Sequence, residues 1–120
     1  GDDAIAGTRF PDSIAMSSCA IIGYYGYRRY LTHQGYDIPY RCLVPRVVDQ
    51  LLIAGRCISS DQRAYESHRA MIPMMAIGQA AGTAAALSAR QGVAPRRLDV
   101  GHLQRTLTAQ GAVIRIPSAG

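Results

Sequence analysis

The longest pattern in the chain is an uncharged segment, residues 70–89, which lies between Arg69 and Arg90. Pro73 stands near its start, where helices tolerate proline, and Gly92 follows its end, where glycine commonly ends a helix. The segment is chiefly Ala, Gly, Ser, Thr and Gln, whereas Leu, Ile, Phe and Val provide most of the free energy of membrane insertion. We therefore predict a long buried helix and no membrane partner.

Two glycines, Gly78 and Gly82, fall on one face of this predicted helix, with Ala81 and Ala85 beside them. A glycine inside a helix costs on the order of 1 kcal/mol relative to alanine. Two such residues in one turn indicate that a backbone or a ligand approaches this face closely. Helix–helix packing without any ligand explains the same spacing and stays open as an alternative.

A second pattern precedes the helix. Residues 51–54 (LLIA) form an apolar run without alternation, which is typical of a strand buried on both faces of a parallel sheet. Gly55 and Arg56 follow at the carboxyl end of this predicted strand, where open α/β sheets place their ligands. Arg56 is therefore a candidate for ligand binding, and a structural ion pair is the alternative for it.

The first 45 residues contain most of the tyrosines of the chain, with glycines interspersed among them. Residues 10–13 (FPDS) predict a helix start, and residues 40–44 predict an edge strand between two prolines. Tyrosines broken by glycine favour short strands and turns. This region is interpreted either as a carbohydrate or aromatic binding platform or as core and interface packing. Six of the seven tyrosines lie here: Tyr24, Tyr25, Tyr27, Tyr30, Tyr36 and Tyr40.

The last twenty residues predict a short amphipathic helix and a strand. Asp99 can cap the helix, and Val100, Leu103 and Leu107 share its apolar face. Residues 113–116 read as a final strand.

Composition narrows the classes of function. With 120 residues, 48% hydrophobic and 18% charged, the chain is a folded unit of one domain at most. The net charge of +5 comes from 13 arginines and no lysine, and these are scattered along the sequence. A coding bias explains them better than a polyanion partner, so we expect no nucleic-acid partner. An arginine-rich anion binder remains the alternative.

The cysteines and histidines indicate no metal site. Cys19, Cys42 and Cys57 contain no C-x-x-C pair, which favours buried thiols in a reducing, cytoplasmic compartment. The chain begins without a basic and then apolar leader, so we expect no signal peptide and a chain that is part of a longer or processed polypeptide. His68, in the loop before the long helix, is the one candidate for acid–base catalysis.

Several blocks in order resemble the C-terminal part of the FAD-dependent oxidoreductase family. They are residues 38–46, 51–59, Arg69, Met71, 75–87, 92–95, 98–100, 103–104 and 110–112, with a weaker block at 10–15. The resemblance implies a Rossmann-like α/β fold of the glutathione-reductase type, with the C-terminal portion of its FAD-binding domain in this chain. In that family, an N-terminal βαβ unit binds the ADP half of FAD and the C-terminal segment closes the flavin half.

The resemblance also implies which residues would contact FAD. A helix start carries positive partial charge and unpaired N–H groups, which would favour the negative charge of a reduced flavin. Small residues near that start would let the flavin approach. The cofactor-binding candidates are Gly55, Arg56, Ser59, Gly78, Gln79, Ala80 and Ala81.

Two departures from the family pattern limit what is carried over. Residues 61–66 read DQRAYE where relatives have a loop resembling T-H-E-A-x-G, so the role of that family histidine is not assigned here. No G-x-G-x-x-G follows a predicted strand, so the ADP half of the cofactor cannot be bound here in the Rossmann manner.

We therefore expect residues 1–120 to form a single partial domain, with a tyrosine-rich substrate side at 1–45 and a flavin side at 46–120. The expected activity is hydride transfer between a small organic substrate and flavin, with the remainder of the FAD-binding polypeptide as partner. The alternative is a non-catalytic truncated fragment that acts as a packing module and self-associates through its Ala/Gly helix.

Overall fold

A computed structural model describes residues 1–116 as a mixture of helices and small sheets. Two antiparallel strand pairs are present in this part of the chain, β1 with β4 and β2 with β3. The regular elements are α1 (Asp2–Ala6), β1 (Ser13–Ser17), β2 (Ile21–Ile22), β3 (Arg28–Arg29), β4 (Tyr36–Pro39), α2 (Gln62–His68), α3 (Met71–Gln91) and α4 (Val100–Ala109), with 3-10 turns at Tyr40–Leu43, Gly55–Cys57 and Pro95–Arg97.

The core lies where α3 packs on the β1–β4 pair, with α4 beside them. Ile77 on α3, Ile14 on β1, and Leu103 and Leu107 on α4 are almost completely excluded from water. Asp99 caps α4 by accepting a hydrogen bond from a backbone N–H two residues later. The amphipathic C-terminal helix and the short strands of the tyrosine region are thus confirmed.

The prediction of a long helix over the uncharged segment is confirmed, but only one of its faces is buried. Helix α3 ends at Gly92, which adopts the left-handed conformation with φ of 66°. Its outer face leaves Met71, Ile72 and Met75 between 74% and 79% exposed. By length and composition alone this helix is also apolar enough to cross a membrane, a test that core helices pass too.

The prediction of a buried strand at residues 51–54 is wrong, because these residues form no strand with any other segment of residues 1–116. The Ile53 N–H donates to the Leu43 carbonyl at 2.8 Å, but no ladder of further bonds follows. The neighbouring segment is a 3-10 turn, which offers too few aligned carbonyls for a strand partner. Leu51 is 46% exposed, whereas Leu52 and Ala54 are half-buried against the core, so these residues form an extended segment at the edge of the core and not the centre of a parallel sheet.

Two predictions in the first third of the chain are also wrong. Residues 10–13 form a turn into β1 and not a helix start, because the buried Asp37 carboxylate accepts the Phe10 N–H at 3.0 Å. Residues 40–44 are not an edge strand. Tyr40 begins a 3-10 turn instead, and its hydroxyl donates to the Pro95 carbonyl at 2.9 Å. Burial raises the pKa of Tyr40 to about 12.

The predicted strand at residues 113–116 is not formed either. A side chain takes the place of a neighbouring strand here, because the Ser13 hydroxyl donates to the Ile114 carbonyl at 2.5 Å. The segment therefore crosses the end of β1 without pairing with it.

Arg96 fixes the segment that leads to the candidate site. Its guanidinium donates to the carbonyls of Pro45 at 2.9 Å and of Arg46 and Val48 at 3.3 Å, and it pairs with Asp49. Arg96 follows the carboxyl end of α3, whereas the turn at Gly55 lies at the amino end of this helix. Residues 49–55 therefore connect the segment held by Arg96 with the turn beside the start of α3.

Candidate functional site

Two of the predicted cofactor-binding residues share a groove with the first turn of α3. The groove has a volume of about 320 Å³ and is lined by Gly55, Arg56, Met71, Met74 and Met75. Gly55 has φ of 83°, and a Cβ at this position would meet no atom within 4 Å. The groove is therefore open, apolar along the helix and basic at its Arg56 end.

Arg56 is held at the start of α3 by a backbone contact. Its Nε donates to the Arg69 carbonyl at 3.1 Å, and no carboxylate lies within 4 Å of its guanidinium in residues 1–116. The structural ion pair considered as the alternative is thus not formed there. The first N–H groups of α3, those of Met71 and Ile72, have no partner within the helix and carry positive partial charge. The positive charge of Arg56 and the positive partial charge of the helix start therefore lie next to each other.

Gly78 continues the outer face of α3 one turn beyond the groove. It is exposed, and a Cβ at Gly78 or at Gly82 would meet nothing within 4 Å. The close approach predicted for these glycines is therefore not made by any other part of residues 1–116. Gln79 is exposed as well, and its amide donates to the Gln110 side chain on the α4 side at 3.2 Å.

Ala80 and Ala81 do not lie on this wall. Ala80 is completely buried and Ala81 is 8% exposed, and both belong to the core. Each residue rotates about 100° around a helix axis, so Ala80 lies roughly opposite Gly78, whereas Ala81 lies about 60° from Gly78, on the side turned toward the core. Their prediction as cofactor contacts is corrected for this reason.

Ser59 is separated from the groove and lines a different cavity, of about 240 Å³, together with Ser60 and His68. His68 is 2% exposed, and its Nε2 lies 2.9 Å from the Ser60 hydroxyl, while its buried Nδ1 has no partner in residues 1–116. Burial lowers the pKa of His68 from its ordinary value. The imidazole is therefore neutral near pH 7 and shares a hydrogen bond with the Ser60 hydroxyl.

The tyrosine cleft is a larger cavity of about 860 Å³, which is lined by Gly1, Asp2, Gly23, Tyr24, Tyr25, Tyr27, Asp61, Gln62, Arg63 and Glu66. Its aromatic wall is the tip of the β2–β3 hairpin, closed by a bond of 2.8 Å from the Gly23 N–H to the Tyr27 carbonyl. Its floor is α2. The sequence analysis missed Glu66, although it is the only glutamate of the chain.

Arg69 connects the groove and the tyrosine cleft. Its carbonyl accepts from Arg56, and its Nη2 donates to the Ile22 carbonyl at 3.2 Å. Its guanidinium lies 5.7 Å from the centroid of the Tyr24 ring, a cation–π distance. The hairpin is thereby attached to the residues that lead into α3.

The thiols differ from the prediction of buried cysteines. Cys57 is exposed, Cys19 and Cys42 are half-buried, and all three are free. Burial raises the pKa of the Cys42 thiol. Among residues 1–116, no group of three or more His, Cys, Asp or Glu side chains could hold a metal ion.

The comparisons with known proteins give the class of the chain. A family model described as FAD dependent oxidoreductase matches residues 1–107. The chain therefore belongs to the FAD dependent oxidoreductase family, and the resemblance read from its motifs is confirmed at this level. No curated protein and no solved structure matches it.

The family implies FAD, and the residues of the groove fit part of this cofactor. Gly55 and Gly78 leave open space where other residues would carry a Cβ, and Met71 and Met75 offer an apolar surface to a flat ring. Arg56 offers a cation with no carboxylate nearby in residues 1–116. These features suit the flavin half of FAD.

Proposed function

We propose that this chain forms the flavin-side wall of the FAD site in an oxidoreductase with a glutathione-reductase-like domain. The remainder of the polypeptide would bind the ADP half of the cofactor. The cofactor contacts would be Gly55, Arg56 and the outer face of α3 at Gly78, with Gln79 at its edge. Residues 1–45 would face the substrate and residues 46–120 the flavin.

The observation that carries this proposal is the meeting of Gly55 and Arg56 with the start of α3 on an uncovered apolar surface. Met71, Ile72 and Met75 are each more than 70% exposed although they are apolar and adjacent. Contiguous apolar surface of this kind usually contacts a ligand or another part of a protein. The family of the chain makes FAD the fitting ligand.

When bound, FAD supplies the hydride chemistry, by accepting a hydride from a small organic substrate or by donating one to it. The chain's own residues would set the conditions for it. Arg56 and the free N–H groups of Met71 and Ile72 favour negative charge placed beside them, which stabilises a reduced and anionic ring system. Met71 and Met75, which are exposed, would exclude water from that edge of the site once the ring covers them.

The same exposed face supports a second candidate, a non-catalytic packing module. Such a module would cover its apolar face with another copy of itself, so self-association is its distinguishing property. Light scattering on the purified chain separates the two. A monodisperse chain that never binds FAD would weaken both candidates.

Cytoplasmic localisation and the absence of nucleic-acid and membrane partners stay predictions.

Substitution of Arg56 in the complete polypeptide tests the flavin-side role. Arg56→Gln should weaken FAD retention by about ten-fold, because it removes one charge-assisted contact of about 1.5 kcal/mol. The measurement is flavin absorbance retained after dialysis, together with FAD affinity from titration of the apoprotein.

Arg90→Gln is the matched control, because Arg90 is an exposed arginine at the opposite end of α3. It removes the same charge and should leave FAD affinity unchanged. Equal affinities for the wild type and Arg56→Gln would contradict the proposed role of Arg56.

A further inference from the structure

The tyrosine cleft contains a buried carboxylate that no cation neutralises. Glu66 is 9% exposed, and its Oε1 accepts one hydrogen bond, from the Gln62 amide at 3.2 Å. No arginine or histidine of residues 1–116 lies within 4 Å of its carboxylate. Glu66 therefore has a neutral partner where a buried anion usually has a cation.

The cations that line or border the cleft have partners other than Glu66. The Gly1 ammonium pairs with Asp61 in the same cleft, and the two nearest arginines in sequence have contacts of their own. Arg63 pairs with the Asp2 carboxylate at 3.1 Å. Arg69 donates to the Ile22 carbonyl and stacks on Tyr24. Neither guanidinium is free to turn toward Glu66 without losing an existing contact.

An unneutralised buried carboxylate favours a cation in the adjacent space. Withdrawing a carboxylate from water costs several kcal/mol in proteins, and a single amide donor offsets only part of this. Gly23 leaves the carboxylate uncovered on one side, since a Cβ there would lie in contact with both Glu66 oxygens at 3.4 Å. A ligand cation would reach the carboxylate through the open side of the cleft.

The aromatic wall of the cleft suits an organic cation. The side chain of Tyr25 is fully exposed, and that of Tyr27 is about half exposed. The Tyr24 ring beside them already binds the Arg69 guanidinium through its face, which shows that this hairpin accepts cations on its rings. Tyrosine rings in the same cleft as a carboxylate favour an ammonium ion that carries alkyl groups over a small hydrated metal ion.

We propose that the tyrosine cleft binds an organic ammonium ion, with Glu66 as its counter-ion and the rings of Tyr25 and Tyr27 against its alkyl groups. The cleft volume of about 860 Å³ is in the range of small-molecule sites. This site stands apart from the proposed flavin-side groove, and it does not depend on FAD binding.

The test compares choline with its uncharged carbon isostere, dimethylbutanol, by calorimetric titration of the full-length protein. Choline should bind at least about ten times more tightly, because only the cation gains the interactions with Glu66 and the rings. Equal binding of the two compounds, or no binding of choline, would overturn the proposal.

Variants assign the binding to the cleft. Glu66→Gln keeps the shape and the Gln62 contact but should weaken choline binding by about ten-fold. Asp99→Asn, at the start of α4, removes the same charge, keeps a capping side chain and should have no effect. Wild-type affinity in Glu66→Gln would contradict the role of Glu66.

A second pair of variants keeps the test decisive if Glu66→Gln fails to fold. Tyr25→Phe retains the ring and should bind choline as the wild type does, whereas Tyr25→Leu should bind about three times more weakly. Equal losses in the two would contradict a role for the ring face. FAD retention should stay unchanged in all of these variants, so failure here is distinguishable from failure of the flavin-side role.

Discussion

The two faces of α3 have the same uncharged composition and opposite environments. On the inner face, Ile77 and Ala84 are fully buried against the strands and α4. On the outer face, Ile72 is 79% exposed, and Gly78 borders open space. An uncharged helix can therefore leave one of its faces uncovered by its own chain.

The largest expected effect comes from truncating the same residue type on each face. Ile77→Ala should destabilise the protein by about 2–5 kcal/mol, because it removes buried methyl groups and leaves a cavity. Ile72→Ala, the matched variant on the outer face, should change the free energy of unfolding by less than about 0.5 kcal/mol. Urea denaturation measures both. Similar losses in the two variants would refute the assignment of the faces.

Enlarging an alanine on each face should give the next effect. Ala84→Leu adds volume to a packed site and should destabilise by about 1–3 kcal/mol. Ala85→Leu adds the same volume at an exposed position. Its unfolding midpoint should stay close to that of the wild type, and a large shift would show that the outer face is covered.

Gly78→Ala should give a smaller effect of opposite sign. Alanine is the better helix former, and its Cβ meets nothing within 4 Å, so the chain should gain about 0.5–1 kcal/mol. If the outer face contacts FAD, the same variant should retain the cofactor less tightly in the complete polypeptide. Thermal unfolding and flavin absorbance provide the two readings. A loss of stability would indicate that this face is already in contact.

The smallest effect concerns His68, the buried last residue of α2, and not a loop residue as the sequence predicted. Because burial lowers the pKa of His68, the unfolded chain binds a proton near pH 6.5 that the folded imidazole does not accept until lower pH. Stability should therefore fall as the pH drops below about 6.5. His68→Gln should reduce this dependence, as measured by urea midpoints on both sides of that pH. An unchanged pH dependence in the variant would contradict the burial of a neutral His68.

Much of the helical fold could be predicted because local signals specify it. Asp99 caps α4 and Gly92 ends α3 through contacts within a few residues. The strands were harder, because pairing depends on distant partners. The run at residues 51–54 has the composition of a buried strand, yet the structure offers it one hydrogen bond from the neighbouring turn. Composition does not reveal whether a partner strand is present.

The candidate site could be predicted in part. The family resemblance, and not local spacing, brought Gly55, Arg56 and the start of α3 to one site, because α2 separates the turn from α3 in the chain. The burial of Ala80 and Ala81 depends on which face of the helix meets β1, and an uncharged helix gives no sign of it. Glu66 was missed because only the folded hairpin brings tyrosines over it.

The attachment of Arg96 to the loop at residues 45–49 has a consequence for evolution by insertion and deletion. Between that anchor and Gly55 the backbone has six peptide units, with a reach of roughly 20 Å at full extension. Deleting one residue from this segment would shorten its reach by up to about 3.4 Å and would draw Gly55 away from Met71. Changes of length should therefore be tolerated in the hairpin tip far more readily than in this strip of chain.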